Sequence, residues 1–336
     1  MFIALVGTPS SGKHAVLDYL VQRHGFTRLD LAPNAVAVSE GEPERGVSLG
    51  VDEWRTYASS EAMLDAATRA WRARHVTTSL RTWEDIEPWL KRPWFLLVGV
   101  DGPLRARFER ERRRRPALTL DAFVDEHDAF LHGSAGSATS TGTGQQSDLA
   151  RVLTAAALRI SNGFSDLDGL YRHLDTVNLL NEERLRPGWD LYFMTLASLA
   201  SHRSNCMKRR VGAILVRGKR IISTGYNGTP RGARNCNEGG CARCNGPAKG
   251  GENLGACFCL HAEENALLEA GRERIGPDSV IYCNTCPCLL CSVKIVQCGV
   301  REVVYNQSYS MDTASAALLA EGGVILRQMN MPDDHV

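Results

Sequence analysis

The sequence predicts an α/β protein of two domains, on three observations. Short apolar runs suited to buried strands alternate with segments of helical spacing in both halves. The 336 residues are enough for two cores of ordinary size. None of the 11 cysteines precedes Cys206, so the halves differ in chemistry as well as position.

The first domain is expected over 1–180. Residues 1–6 form an apolar run suited to a buried parallel strand, and 15–21 follow with helical spacing. A second strand is expected at 94–100, ending at Asp101, before an arginine-dense helical stretch at 105–115. Residues 133–147, GSAGSATSTGTGQQS, are low-complexity and expected to be a disordered surface insertion. Helical pattern resumes near 148 and runs towards 180. The charged segment 181–188, with Pro187, is the expected boundary.

The second domain is expected over 187–330. It opens with an amphipathic helix at 189–200. Two strands, 211–216 and 220–224, are joined by a tight turn at Gly218. A cysteine-rich loop occupies 234–259. A helix at 261–270 ends at Gly271, a residue suited to a C-terminal cap. A strand at 280–283 leads to a helix from Pro287, and strands at 303–305 and 324–327 flank a helix at 313–321.

Composition narrows the function. Basic and acidic residues number 39 and 38, so no overall field recruits a polyanion, and nucleic acid is not an expected partner. No apolar run approaches the length of a bilayer span. The N-terminal run meets a glycine-rich turn and Lys13 at once, unlike a signal peptide. A cytoplasmic or nuclear protein without membrane contact is expected. In such a reducing compartment clustered thiols are better suited to metal than to disulfides, and an odd total would strand one of them.

The decisive residues are His261-Ala262-Glu263 and Pro287-Cys288-Leu289-Leu290-Cys291. Zinc lowers the pKa of water to about 7, and a catalytic zinc takes three protein ligands plus that water. His261, Cys288 and Cys291 supply three ligands. Cys288 and Cys291 stand three apart on an expected helix and so share a face. Pro287 suits its first turn, and amides there favour thiolates. Glu263, close to the metal but free of it, suits moving a proton from the water to a ring nitrogen and to leaving ammonia. His-x-Glu followed by Pro-Cys-x-x-Cys is the known signature of zinc-dependent base deaminases.

His261-Ala-Glu-Glu-Asn-Ala-Leu-Leu268 and Cys286-Pro-Cys-Leu-Leu-Cys291 resemble the cytidine deaminase superfamily. Three further segments resemble its deoxycytidylate deaminases, fungal members especially: Trp189-Asp-Leu-Tyr-Phe-Met194, Cys206-Met-Lys-Arg-Arg-Val-Gly-Ala213, and Ile221-Ile-Ser-Thr-Gly-Tyr-Asn-Gly-Thr-Pro-Arg-Gly232. The resemblance covers 187–330. It implies a mixed sheet with helices on both faces, hydrolysis of dCMP to dUMP and ammonia, activation by dCTP, inhibition by dTTP, and a homo-oligomer. It carries zinc ligation onto His261, Cys288 and Cys291, and the proton shuttle onto Glu263. It links Gly225, Tyr226, Asn227 and Gly228 to the allosteric nucleotide. Asn265 and Tyr309 are candidate substrate contacts, and Lys208, Arg209 and Arg210 candidate phosphate contacts.

A second zinc is expected in the cysteine-rich loop, which has little apolar content to order it. The resemblance points to Cys206, Cys236 and Cys259, with the fourth ligand from Cys241, Cys244 or Cys257. Cys241, Cys244, Cys257 and Cys259 alone are the alternative grouping. Cys283, Cys286 and Cys298 read as strand, turn and helix thiols.

In the first domain Gly7-Thr-Pro-Ser-Ser-Gly-Lys13 follows a strand and precedes a helix, the setting of a phosphate-binding P-loop. Gly7, Gly12 and Lys13 are its candidate contacts, and the domain resembles nucleoside monophosphate kinases. Asp101 and the arginines of 105–115 match a metal-assisting carboxylate and a lid. His14 departs from the pattern, standing where Ser or Thr would hold magnesium, so nucleotide binding or a degenerate scaffold is expected rather than phosphoryl transfer. The competing readings are a deaminase of another cytosine nucleotide, nucleoside or polynucleotide, and a nucleotide kinase with a zinc-stabilised regulatory module.

Overall fold

In the computed structural model, which describes residues 1–32, 45–47, 53–133, 147–249, 252–308 and 313–331, the chain separates into two units between Arg186 and Pro187. The first unit grows from β1 (Phe2–Val6), buried at every position as its unbroken apolar run requires of a strand covered on both faces. The chain turns at Gly12 (φ 96°) into α1 (Lys13–His24), which Gly25 ends in the left-handed conformation with its N–H on the carbonyls of Leu20 and Val21. There follow β2 (Thr27–Leu31), β3 (Arg45–Val47), β4 (Glu53–Tyr57), α2 (Ser60–Arg69), β5 (His75–Thr77), α3 (Trp83–Leu90) and β6 (Phe95–Asp101). Then come α4 (Leu104–Arg112), α5 (Leu120–His132), α6 (Asp148–Thr154), β7 (Leu158–Ser161) and α7 (Leu167–Val177).

The strands form one seven-stranded sheet in the order β3-β4-β2-β5-β1-β6-β7, parallel except for β3 against β4. Alternation along β1 feeds two cores. Ile3 and Leu5 pack with Val16, Leu17 and Leu20 of α1, while Phe2 and Ala4 pack with Met63, Ile86 and Trp89. The helix expected from 148 towards 180 is interrupted by β7, whose Leu158 and Ile160 turn inward beside β6. A four-residue alternation is too short to stand out against helical spacing on both sides. Most of the insertion expected at 133–147 lies outside the described residues.

Burial, with cationic neighbours adding to it, pushes the pKa of His75 on β5 from 6.5 down to about 4. Between those values the unfolded chain binds a proton that the folded chain does not. Stability is therefore fully present above about pH 6.5 and falls as pH drops towards 4, by roughly 2–3 kcal/mol from this group. Denaturant unfolding of His75→Asn against wild type at pH 7.5 and 5 should show the variant losing less. Equal losses would refute the assignment.

The second unit opens with α8 (Trp189–Ser201), β8 (Gly212–Arg217) and β9 (Arg220–Tyr226). Gly218 (φ 56°) and Lys219 (φ 61°) both take left-handed values, the geometry of a tight two-residue hairpin turn. Next come α9 (Ala242–Asn245), α10 (Ala262–Ala270), β10 (Ser279–Thr285), α11 (Leu289–Cys298), β11 (Glu302–Gln307), α12 (Thr313–Glu321) and β12 (Ile325–Gln328). The five-stranded sheet runs β12-β11-β10-β8-β9. Its first three strands are mutually parallel, while β8 is antiparallel to both β10 and β9.

One face of this sheet packs Ala213, Ile281 and Val303 with Ala262 and Ala266 of α10 and Ile295 of α11. The other packs Ile214, Tyr282 and Val304 with Phe193 and Met194 of α8. Gly212 lets α8 approach, since a Cβ there would lie 2.1 Å from the Ala197 carbonyl oxygen. The Asp190 carboxylate on α8 accepts from Tyr282 Oη and from Arg327 Nη1, each at 2.8 Å, joining the helix to β10 and β12. Among the described residues no helix is long and apolar enough to cross a membrane.

Candidate active site and metal centres

Both halves of the His-x-Glu…Pro-Cys-x-x-Cys pattern stand at helix N-termini. His261 caps α10 and Cys288 caps α11, each with extended backbone (φ −80°, ψ 160° and φ −78°, ψ 168°). The helix expected from Pro287 starts instead at Leu289. Pro287 precedes the cap, which is Cys288 in extended backbone conformation. The Cys288 carbonyl then accepts from Ser292 N at 2.9 Å as the helix begins.

This places His261 Nδ1 3.3 Å from Sγ of Cys288 and 3.3 Å from Sγ of Cys291. The three ligand atoms all lie within 4.8 Å of one another. Zinc bonds of about 2.0 Å to nitrogen and 2.3 Å to sulfur make a tetrahedron with edges of roughly 3.5–3.8 Å, so the three side chains fit three of its corners. Hydrogen bonds from Cys291 and His261, with the Cys291 N–H, pull the Cys288 thiol down to about 4 against the effect of burial. The same Cys288 contact raises the pKa of His261.

Glu263, on the first turn of α10, is 3% exposed, and burial raises the pKa of its carboxyl. Burial follows from how α10 lies on β9. A Cβ on Gly225 would stand 2.0 Å from the Ala262 carbonyl oxygen, so only glycine admits the helix there. Ser223 Oγ donates to the Ala266 carbonyl at 2.6 Å, and Lys294 Nζ donates to Glu264 Oε1 at 2.6 Å, tying α10 to α11. Sequence reasoning passed over Lys294 and Glu264, since nothing in their spacing pairs them.

Several of the other candidates make hydrogen bonds within the protein. Asn265 Nδ2 donates to the Tyr226 carbonyl at 2.6 Å. The Asn227 side chain is buried, accepting from Val211 N and donating to the Arg209 carbonyl, both at 2.8 Å. Gly228 pairs with Leu260 through both backbone bonds. Of that four-residue segment, Tyr226 presents an exposed side chain, at 38%. Lys208 Nζ donates to the Gly246 carbonyl, and Arg209 Nη2 to Gln307 Oε1. Arg210 is exposed. Tyr309 lies outside the described residues.

Six further cysteines gather into a small buried group of their own. Within it Cys206, Cys236, Cys244 and Cys259 have all sulfurs within 4.8 Å of one another, and so do Cys241, Cys244, Cys257 and Cys259. Both groupings left open by the sequence are thus assembled, sharing Cys244 and Cys259. Sulfur separations of 3.7 Å (Cys206–Cys244), 3.9 Å (Cys241–Cys257), 3.5 Å (Cys244–Cys257) and 4.0 Å (Cys244–Cys259) are far beyond the S–S bond of about 2.05 Å. Burial opposes ionisation of Cys241, yet the N–H groups of Cys244 and Phe258 help pull it down to about 6. Arg243, between two of these cysteines, donates to the carbonyls of Lys249 and Glu252 and reaches Cys244 Sγ at 4.0 Å. Cys283, Cys286 and Cys298 belong to neither grouping.

In the first unit the loop from Gly7 to Lys13 borders a cleft of 1120 Å³, lined also by Arg81, Arg110, Arg113 and Arg114. Gly7 lies where a Cβ would meet the Val100 carbonyl at 2.1 Å, and a Cβ on Gly12 would meet Asn162 Nδ2 at 2.2 Å. Asn162 Nδ2 donates to the Ser11 carbonyl at 2.8 Å, and Lys13 Nζ to the Gly7 carbonyl at 3.3 Å. Ser11 Oγ is buried against the cleft and has no hydrogen-bond partner among the described residues. Asp101 Oδ1 accepts from Thr8 Oγ1 at 2.9 Å and faces Arg107 Nε at 3.4 Å. His14 is exposed.

Residues 187–307 match the family model described as the cytidine and deoxycytidylate deaminase zinc-binding region. The chain is 45% identical over 337 residues to the deoxycytidylate deaminase of Schizosaccharomyces pombe, with 99% of each chain covered. It is 41% identical over 351 residues to that of Saccharomyces cerevisiae, covering 99% of this chain and 98% of the other. Among solved structures, the apo dCMP deaminase of cyanophage S-TIM5 is 33% identical over 43% of this chain and 99% of its own, with a TM-score of 0.34.

Proposed function

Because the chain belongs to the deoxycytidylate deaminases, we propose that it hydrolyses dCMP to dUMP and ammonia at the site built on α10 and α11. The observation that carries this reading is the convergence of His261 Nδ1 with Sγ of Cys288 and Cys291 at 3.3 Å, beside the buried Glu263. A binding module has no use for a buried carboxylate next to such a set. His261, Cys288 and Cys291 would hold zinc, which when bound would supply the Lewis acidity that makes water a nucleophile near neutral pH. The N-terminal amides of α11 keep Cys288 ionised. Glu263, its pKa raised by burial, takes one proton of the attacking water and gives it to the ring nitrogen, then moves the second, from the hydroxyl so added to the ring carbon, onto the departing ammonia.

Rates on dCMP, CMP, dCTP and deoxycytidine, each with and without added dCTP and dTTP, test the substrate. Turnover of dCMP should exceed that of the other three, rise with dCTP and fall with dTTP. Equal rates on all four would sink the assignment.

Three subsidiary readings accompany it. A structural zinc sits in the cysteine group, supported by four-sulfur sets of tetrahedral spacing. A second copy of the chain covers the exposed apolar residues Leu268 on α10 and Leu290 and Val293 on α11, which are 66%, 62% and 50% exposed. The cleft of the first unit takes nucleotide phosphates through its loop amides, Lys13 and arginines, supported by the unpartnered Ser11 hydroxyl. Lys13→Ala should weaken ATP binding at least tenfold in equilibrium dialysis of the full chain. Undiminished affinity would remove the cleft from consideration.

A further inference from the structure

We propose that the six cysteines of the second group hold two zinc ions in one binuclear cluster, with Cys244 and Cys259 bridging, Cys206 and Cys236 terminal on one ion, and Cys241 and Cys257 terminal on the other. This rests on the reading of the group as a structural zinc site and goes beyond its single ion.

The argument begins with what one ion leaves over. A zinc on Cys206, Cys236, Cys244 and Cys259 strands Cys241, which is 0% exposed, together with Cys257. A zinc on Cys241, Cys244, Cys257 and Cys259 strands Cys206 and Cys236, the latter also 0% exposed. Either choice leaves a complete terminal pair of thiols unused, one of them buried and the other partly buried. Two ions use all six. Each then has four sulfurs, and the two tetrahedra share the edge from Cys244 to Cys259, which measures 4.0 Å.

The lengths agree. A zinc–sulfur bond of about 2.3 Å implies tetrahedral edges of about 3.8 Å. The separations Cys206–Cys244 (3.7 Å) in one set, and Cys241–Cys257 (3.9 Å) and Cys244–Cys257 (3.5 Å) in the other, lie close to it. No electron moves on loading: six thiols release six protons and bind two dications, leaving two negative charges on the cluster. The surroundings suit that charge. Met207 N donates to Cys236 Sγ at 3.4 Å, Asn245 Nδ2 reaches the same sulfur at 3.8 Å, and Arg243 Nη1 lies 4.0 Å from Cys244 Sγ.

The cluster also has a place in the fold. The described part of the loop around it turns little apolar surface inward; Phe258 is 63% exposed. Metal–sulfur bonds supply the order that apolar burial does not. Cys259 stands two residues before His261, and the intervening Leu260 is held to Gly228 by both backbone bonds. The bridging ligand thus anchors the chain where it enters the catalytic helix.

Native mass spectrometry of the zinc-replete full chain should count three ions per chain, one on the His261 set and two in the cluster. After exchange with ¹¹³Cd, two all-sulfur resonances should split each other through the shared thiolates. Cys241→Ser combined with Cys257→Ser should lower the count to two and leave one uncoupled all-sulfur resonance. A wild-type count of two overturns the binuclear proposal but keeps a single structural zinc. A count of one removes that reading as well, and three ions without mutual splitting overturn the bridges. Turnover of dCMP is read separately, so failure here is distinct from failure of the deaminase assignment.

Discussion

Glu263→Gln is expected to lower dCMP turnover by about 10³–10⁴-fold while zinc content and unfolding midpoint stay at wild-type values. The magnitude follows from general acid–base catalysis, where one positioned group contributes roughly 10²–10⁴-fold, and this one handles the proton both on and off. Glutamine keeps the volume of a side chain that is 3% exposed. Packing therefore survives. An amide cannot take up and return a proton, and that loss alone should register. The neighbouring Glu264→Gln is the control. It gives up a partly exposed ion pair with Lys294, of the kind worth no more than about 1 kcal/mol, and should keep most of the activity. Ammonia release from the Glu263 variant within tenfold of wild type would sink the mechanism.

Gly225→Ala is expected to cost stability and activity together. The new Cβ would stand 2.0 Å from the Ala262 carbonyl oxygen and 2.6 Å from the Ala266 nitrogen. Both are backbone atoms of α10, which cannot rotate aside as a side chain would. Overpacking typically costs 1–3 kcal/mol, occasionally more, and a contact on two turns of one helix belongs at about 3 kcal/mol. The helix must move off β9, carrying His261 and Glu263 with it. A displacement near 1 Å can cost about 10²-fold in rate. Gly271→Ala is the contrast. It meets nothing within 4 Å and carries only backbone strain, at φ 68° and ψ 143°, of about 1–3 kcal/mol, with little change in turnover. Denaturant unfolding and kcat on both variants separate the two causes. A Gly225→Ala protein as stable and active as wild type would show that α10 does not rest on β9 as described.

That glycine also shows where sequence reading stopped. Gly225 and Asn227 lie in a segment whose resemblance suggests nucleotide contact, yet one admits a helix and the other holds two backbone groups near Val211. Neither duty is visible along the chain, because each partner comes from another element. The helix start at Leu289, capped by Cys288, rather than at Pro287 is a smaller instance. Spacing favours proline in the first turn, but the extended backbone of Cys288 places the cap one residue later.

What the sequence determined by itself is the chemistry and the local geometry. The catalytic pattern is legible because the reaction demands particular side chains at particular intervals. The hairpin at Gly218 and the helix end at Gly271 are legible because positive φ selects glycine. The tertiary structure alone decided the strand order of both sheets, the strand β7 inside a helical-looking stretch, and which sulfurs meet. Six cysteines within 54 residues permit several four-ligand sets by spacing; only the folded loop makes two of them at once, sharing Cys244 and Cys259. Dihedral preference and periodicity act over a few residues and are written in order along the chain. Convergence of distant groups depends on how whole elements pack, and spacing does not encode it.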